Sequence, residues 1–175
     1  MIGGRRRRDD VNRPTFSAVA EECLDDVYRY LLMLTANPTL ADDLTGATFE
    51  KALRIWRRYD PRRAAPTTWL CSIARTTALD HFRAEERRRR REERFAAELP
   101  ESGELGELVG LSPDLAAAVA SLTAAEREVV ALRVVLEFDA ESAARLLGVS
   151  RTACSMRLAR ALTKLEERMA ADALA

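Results

Sequence analysis

The chain is poor in the residues from which most enzymes and metal centres are built. Histidine occurs once, at His81, which excludes His-pair chemistry and His-rich metal sites. The cysteines Cys23, Cys71 and Cys154 are odd in number, far apart and without a C-x-x-C pair. A disulfide framework or a cysteine zinc site is not expected from them, and the usage suits a reducing, cytoplasmic protein. There is no G-x-G-x-x-G, no P-loop and no Gly-rich phosphate cradle. Cys71 and His81 fall ten residues apart on one expected helix, roughly 15 Å at 1.5 Å rise per residue, too far for a thiol–imidazole pair. No enzyme, cofactor, metal or small-molecule substrate is expected. No apolar run approaches the ~18 residues of a membrane span, and the Arg-rich opening, Met1 to Asn12, lacks the apolar stretch of a signal peptide. Net charge is absent too: 28 basic residues balance 28 acidic ones. Any nucleic-acid contact must therefore come from local segregation of charge.

What is present is helical pattern. The 175 residues are 47% apolar and 32% charged, enough for a packed core. Lys51 and Lys164 are the only lysines, so 26 of the basic residues are arginine. Arginine suits bidentate contacts to phosphate or carboxylate, although genome composition leaves the same bias. Residues 1–15 read as a disordered basic arm. From Ser17 the period is helical, with Leu24, Val27, Tyr28, Leu31 and Leu32 on one stripe. Asn37-Pro38 breaks it. A second helix is expected from about Thr39 to Tyr59, and a third from Thr67 or Thr68, either of which can cap it, through the Arg run 87–91. Residues 95–112 carry Gly and unpartnered Glu without a stripe and read as a flexible acidic linker. A second helical unit follows, with caps expected at Ser112, Thr123 (in a capping box with Glu126), Asp139 and Ser150. The fold class expected is all-α: two small helical domains, 16–94 and 113–170, joined by the linker 95–112, the C-terminal one containing a helix-turn-helix.

Three features carry functional chemistry. Ala144, Gly148 and Cys154 have the spacing of a helix-turn-helix: a small residue at the crossing, Gly at the turn and an apolar seat. Arg151, Thr152, Ser155 and Arg160, with Arg157 close by, occupy the outer face of its second helix and can bond phosphates and base edges. An ordinary helical hairpin with a solvated basic face would look similar. From Arg54 to Arg83, seven Arg stand against Asp60 and Asp80, interleaved with Trp56, Tyr59, Trp69 and Phe82. Basic and aromatic groups together can hold single-stranded nucleic acid, or can simply be a solvated face over a core. Trp56 and Phe82 are expected inside and Tyr59 nearer the surface. Asp42-Asp43-Leu44 either complements the dipole in the first turn of its helix or docks a protein partner.

In order, these motifs resemble the extracytoplasmic-function group of bacterial sigma factors. The stretch Tyr28–Arg83 looks like region two: "ADDLTGATFEKALRIWRRYD" resembles its acidic-Leu-x-Gln-Glu-Thr-Phe helix, and "WLCSIARTTALDHFR" its Trp-Leu-x-x-Ile-Ala-Arg-Asn helix. The stretch Ser121–Met169 looks like region four. The resemblance covers about three-quarters of the chain. It implies a promoter-specificity subunit that binds core RNA polymerase, recognises −35 and −10 promoter DNA, helps melt the −10 element and is held inactive by an anti-sigma factor. Carried onto this sequence, the −10 residues are Tyr59, Arg62, Arg63, Thr67, Thr68, Trp69, Arg75, Thr76 and Arg83. The −35 residues are Arg151, Thr152, Ser155, Arg157 and Arg160, and the core-polymerase residues are Asp42, Asp43, Leu44, Thr48 and Phe49. The sequence departs from the family at Gly46-Ala47 (usually Gln-Glu), at Thr76 (usually Asn) and at Ala153-Cys154-Ser155 (usually Thr-Val-Lys), which marks a divergent member. The alternative reading is a stand-alone helix-turn-helix regulator whose N-terminal lobe senses or dimerises.

Overall fold

Seven α-helices make up the computed structural model, which describes residues 14–92 and 112–172. Among the described residues there is no β-strand. The arm expected at 1–15 lies outside them apart from Pro14 and Thr15, and the linker at 95–112 apart from Ser112.

The first lobe contains α1 (Phe16–Thr35), α2 (Pro38–Ile55) and α3 (Pro66–Glu92). Local chemistry sets each start. The Thr15 side chain accepts the Ala18 N–H at 3.3 Å, and Asn37 accepts the Leu40 N–H at 3.0 Å with Pro38 in the first turn. α2 ends earlier than its pattern suggests, tightening into a 3₁₀ turn over Trp56–Arg58 before Tyr59 becomes extended. The start of α3 differs from expectation as well. Pro66, with φ pre-set for a helix and no N–H to lose, opens it, so neither Thr67 nor Thr68 is the cap. The Thr67 hydroxyl instead meets Cys23 Sγ at 3.3 Å, tying α3 to α1. Asp42 and Asp43 lie beyond the first turn of α2, where the helix dipole gives them little.

The second lobe contains α4 (Pro113–Ser121), α5 (Ala124–Val130), a π-type turn over Ala131–Val135, α6 (Ala140–Leu147) and α7 (Arg151–Asp172). All four expected caps form. Ser112 accepts from Leu115, Thr123 and Glu126 make the reciprocal capping box, Asp139 accepts from Glu141 and Ser142, and Ser150 accepts from Ala153. Gly148 closes α6 at φ 69, a left-handed conformation that costs Gly nothing.

The buried faces explain the architecture. α1 was expected to bury one stripe, but Leu24 is 48% exposed while Leu31, Leu32, Met33 and Leu34 are all buried. A helical turn buried all round, as the turn 30–34 is, must be covered on more than one side. Here α2 and α3 cover one side, and α5 with its following π turn covers another. The two lobes therefore meet directly and share one continuous apolar cluster. Buried Thr45 and Thr48 satisfy their hydroxyls on the carbonyls of Ala41 and Leu44, at 2.7 and 2.6 Å. No described helix is long and apolar enough to cross a membrane.

Candidate nucleic-acid interface

In the second lobe, α6, the Gly148 turn and α7 form the helix-turn-helix. Ala144 and Cys154 are buried at the crossing, 4% and 1% exposed, as the spacing demands. Cys154 is thus a packing residue. With it facing inward, the helical period turns Arg151, Thr152, Ser155 and Arg160 outward, and all four are exposed. Arg157 is half-buried. Other cations of this lobe are tied down: Lys164 Nζ lies 2.6 Å from Glu126 Oε1, and Arg145 2.9 Å from Glu141. Among the described residues no carboxylate pairs with Arg151, Arg157 or Arg160. Leu162 of α7 is 37% exposed.

In the first lobe the aromatic residues form one cluster. Trp56 and Tyr59 stack at 4.8 Å, Trp69 packs edge-on to Trp56 at 5.6 Å, and Phe16 closes on Trp56 at 5.4 Å. The expected exposure of Tyr59 is not what is found. Its ring is 4% exposed and its hydroxyl donates to the Ala64 carbonyl at 3.2 Å, so Tyr59 shapes the 60–66 loop from beneath. Trp56 and Phe82, expected inside, are half-buried, as are Thr67, Thr68 and Trp69. The loop is a turn organised by Asp60. Its carbonyl accepts from the Arg63 N–H at 3.0 Å, and its carboxylate accepts from the Arg62 N–H at 3.0 Å and from Arg62 Nε at 3.1 Å. These bonds hold the Asp60 carboxyl below the usual carboxylate range. Arg62 and Arg63 project into solvent from this turn. Thr76 is exposed on α3, its hydroxyl bonded to the Ile73 carbonyl at 2.8 Å, and Arg83 is exposed beside Asp80.

Arg75 points elsewhere. Its Nε donates to Glu128 Oε1 of α5 at 2.7 Å, and the same oxygen accepts from the Tyr30 hydroxyl of α1 at 2.9 Å. Tyr30 is fully buried and Glu128 7% exposed. Burial, then the neighbouring carboxylate, raises the Tyr30 phenol well above its ordinary range. The sequence reading missed Glu128 and Tyr30. The available signal was an acid set immediately before the buried run Val129–Leu132, a position that demands a partner.

The residues expected to meet polymerase separate by burial. Asp42 and Asp43 are exposed on α2, but Leu44 and Thr48 are 5% and 0% exposed and Phe49 packs edge-on to Phe16 at 6.4 Å. Leu44, Thr48 and Phe49 hold α2 in its own lobe. The surface beside Asp42 and Asp43 consists of Gly46 and Ala47, both exposed.

Comparison with known proteins decides the kinship. Residues 19–88 match the family model for sigma-70 region 2, and residues 113–165 the model for sigma-70 region 4. The chain is 30% identical over 162 residues to the ECF RNA polymerase sigma factor BldN of Streptomyces coelicolor, a match covering 90% of this chain and 61% of that one. It belongs to the sigma-70 family, and BldN is a relative of the extracytoplasmic-function group. Another relative, the ECF RNA polymerase sigma factor SigM of Bacillus subtilis, is 35% identical over 69 residues, 39% of this chain and 41% of its own. This sigma factor thus spans about three-fifths of BldN and less of SigM. Its fold matches the sigma factor RpoE from Bartonella quintana, solved with the anti-sigma factor NepR. The TM-score is 0.76 at 22% identity, over 90% of this chain and 98% of that one. It also matches CnrH, solved with the cytosolic domain of CnrY, at a TM-score of 0.65 and 24% identity over 90% and 88% of the two chains. Both family segments fall on the lobes described above, α1–α3 and α4–α7.

Proposed function

We propose that this sigma factor confers promoter specificity on core RNA polymerase, with residues 16–94 acting at the −10 element, residues 113–170 at the −35 element and 95–112 joining them. The observation that carries the reading is the outer face of α7, where Arg151, Thr152, Ser155 and Arg160 stand exposed behind the Gly148 turn. An α-helix fits the major groove, and these side chains supply the donors that base edges and phosphates accept. A stand-alone regulator would need no first lobe of this kind, and the region 2 match over 19–88 speaks against it.

On the first lobe, Arg62 and Arg63 on the Asp60 turn are proposed to take the phosphates of the opened strand, with Thr67, Thr68, Trp69 and Thr76 lining its path along α3, Arg83 further on, and Tyr59 bracing the loop. Unstacking costs a few kcal/mol per flipped base, which such contacts offset. Asp42 and Asp43 are the proposed contacts to polymerase. An anti-sigma factor is a proposed partner too, since RpoE was solved with the anti-sigma factor NepR. The site of action is the cytoplasm.

In vitro transcription with core polymerase on selected promoter libraries tests the whole reading. Arg151→Ala should weaken −35 duplex binding by roughly 1–3 kcal/mol if it makes a bidentate base contact. If it contacts phosphate instead, the loss should be uniform across sequences, with a salt slope shallower by about one unit. Replacing Arg62 and Arg63 together by Ala should abolish permanganate reactivity of promoter thymines while −35 duplex shifts persist. An intact bubble with that double variant removes both residues from the melting role.

A further inference from the structure

Met156 is not among the α7 residues proposed above to meet DNA, yet it stands in the middle of the face that carries them. We infer that Met156 reads the C5-methyl group of a thymine in the −35 duplex and is a specificity-determining residue of this protein. The inference rests on the proposed docking of that face in the major groove.

The helical period fixes the placement. At about 100° per residue, Thr152 and Met156 lie within roughly 20° of the direction opposite the buried Cys154. Ser155 flanks this ridge on one side and Arg160 on the other, both exposed. Met156 also falls within the first two turns of α7 (Arg151–Asp172), and the N-terminal residues of a recognition helix are the ones that reach base edges. Its side chain is 52% exposed, and no other large hydrophobic within residues 151–160 is exposed. Ala159, one turn further on and also exposed, carries a single methyl group and reaches no further than the helix surface.

The chemistry of the side chain names what it meets. Among the features that a base pair presents in the major groove, the thymine methyl is apolar and the others are hydrogen-bond donors or acceptors. A thioether has no proton to donate and accepts only weakly. Laid on the amino group of a cytosine, it would strip that donor of water and return no bond. Laid on a thymine methyl, it buries apolar surface on both sides. The unbranched Met side chain, with three rotatable bonds, can adjust to a methyl group that lies off its own axis. Thr152, Ser155 and the arginines around it supply the polar contacts. Their phosphate bonds weaken with salt through counterion release, whereas an apolar contact releases no counterion.

The test uses the full chain and duplexes that it enriches from a random-sequence pool, with gel shifts as the readout. Each thymine of an enriched duplex is replaced in turn by deoxyuridine, which lacks only the methyl group. At one thymine the parent chain should bind the uracil duplex about fourfold more weakly, the change that one buried methyl sets. That ratio should be the same at low and high salt, while absolute affinity falls. Met156→Ala should bind the thymine and uracil duplexes equally, and Met156→Leu should retain most of the preference. Both replacements favour helix at an exposed position, so both variants should fold, which circular dichroism checks. Uracil without effect at every thymine overturns the inference, as does a preference that survives intact in Met156→Ala. Arg151→Ala and Thr152→Ala test the docking separately. If neither changes binding to any duplex, α7 does not face DNA, and the inference falls with that reading.

Discussion

Gly46 and Ala36 occupy each other's natural places. Gly46 sits exposed in the middle of α2, and a Cβ there would meet nothing within 4 Å. Ala36 caps α1 in the left-handed region at φ 53, where a Cβ is unwelcome. Gly46→Ala should therefore stabilise the protein by about 0.5–1 kcal/mol in urea unfolding, and a destabilised variant would mean that α2 is not continuous there. Ala36→Gly should also stabilise, by up to about 1 kcal/mol, since relief of the left-handed strain outweighs the greater freedom of the unfolded chain. The thiols make a second residue-scale test. Cys23, Cys71 and Cys154 are 2%, 0% and 1% exposed, and burial pushes the Cys23 and Cys71 thiols upward. Thiolate is the reactive form, so Ellman's reagent should find none of them in the native protein and all three after denaturation. Fast labelling of the folded chain would mean that the core opens readily.

At the scale of the element, the helix starts that were legible are those whose signal is local. Ser112, Thr123, Asp139 and Ser150 each carry the capping oxygen within three residues of the N–H they serve. At the start of α3 two threonines beside Pro66 imitate a cap, but Pro66 itself opens the helix, and the Thr67 hydroxyl goes to Cys23, 44 residues away. The fourfold burial of Leu31 to Leu34 was illegible because it is decided by helices distant in sequence, whereas Tyr59 is buried by near neighbours, Trp56 and Trp69, which only the turn of the chain at 60–66 brings around it. Of the expected site, the α7 face was readable from period alone, while the Arg75–Glu128 pair was not. The capping box of α5 gives the element-scale predictions. Thr123→Ala should cost about 1 kcal/mol in a thermal melt. Glu126 answers the Thr123 N–H at 2.9 Å and also pairs with Lys164 of α7, and these bonds hold its carboxyl at about 2, against 4.5 ordinarily. A depressed carboxyl stabilises the fold above its unfolded value, and the benefit disappears as pH falls through the folded one. Stability should therefore decline as pH drops from about 4.5 toward 2, with a shallower decline in Glu126→Gln. Equal slopes in urea midpoints across that window would remove Glu126 from the account.

For the molecule as a whole, the lobes share one apolar cluster and bridge their charges through Glu128. Interfaces of this kind couple the units on either side, so calorimetry should show one unfolding transition whose van't Hoff and calorimetric enthalpies agree. In Glu128→Gln the transition should broaden or divide. Two transitions in the parent chain would mean that the contact is too weak to join the lobes. The aromatic cluster of the first lobe has a further consequence, which is optical. Trp56 and Trp69 are the only tryptophans, and Tyr28, Tyr30 and Tyr59 the only tyrosines, so every strong near-ultraviolet chromophore of the chain lies on one side of the lobe contact. The second lobe, proposed to meet duplex DNA, carries neither Trp nor Tyr. Intrinsic emission should therefore stay level when duplex binds α7 and change when a strand reaches the loop above Tyr59, giving an unlabelled signal that tells the two events apart.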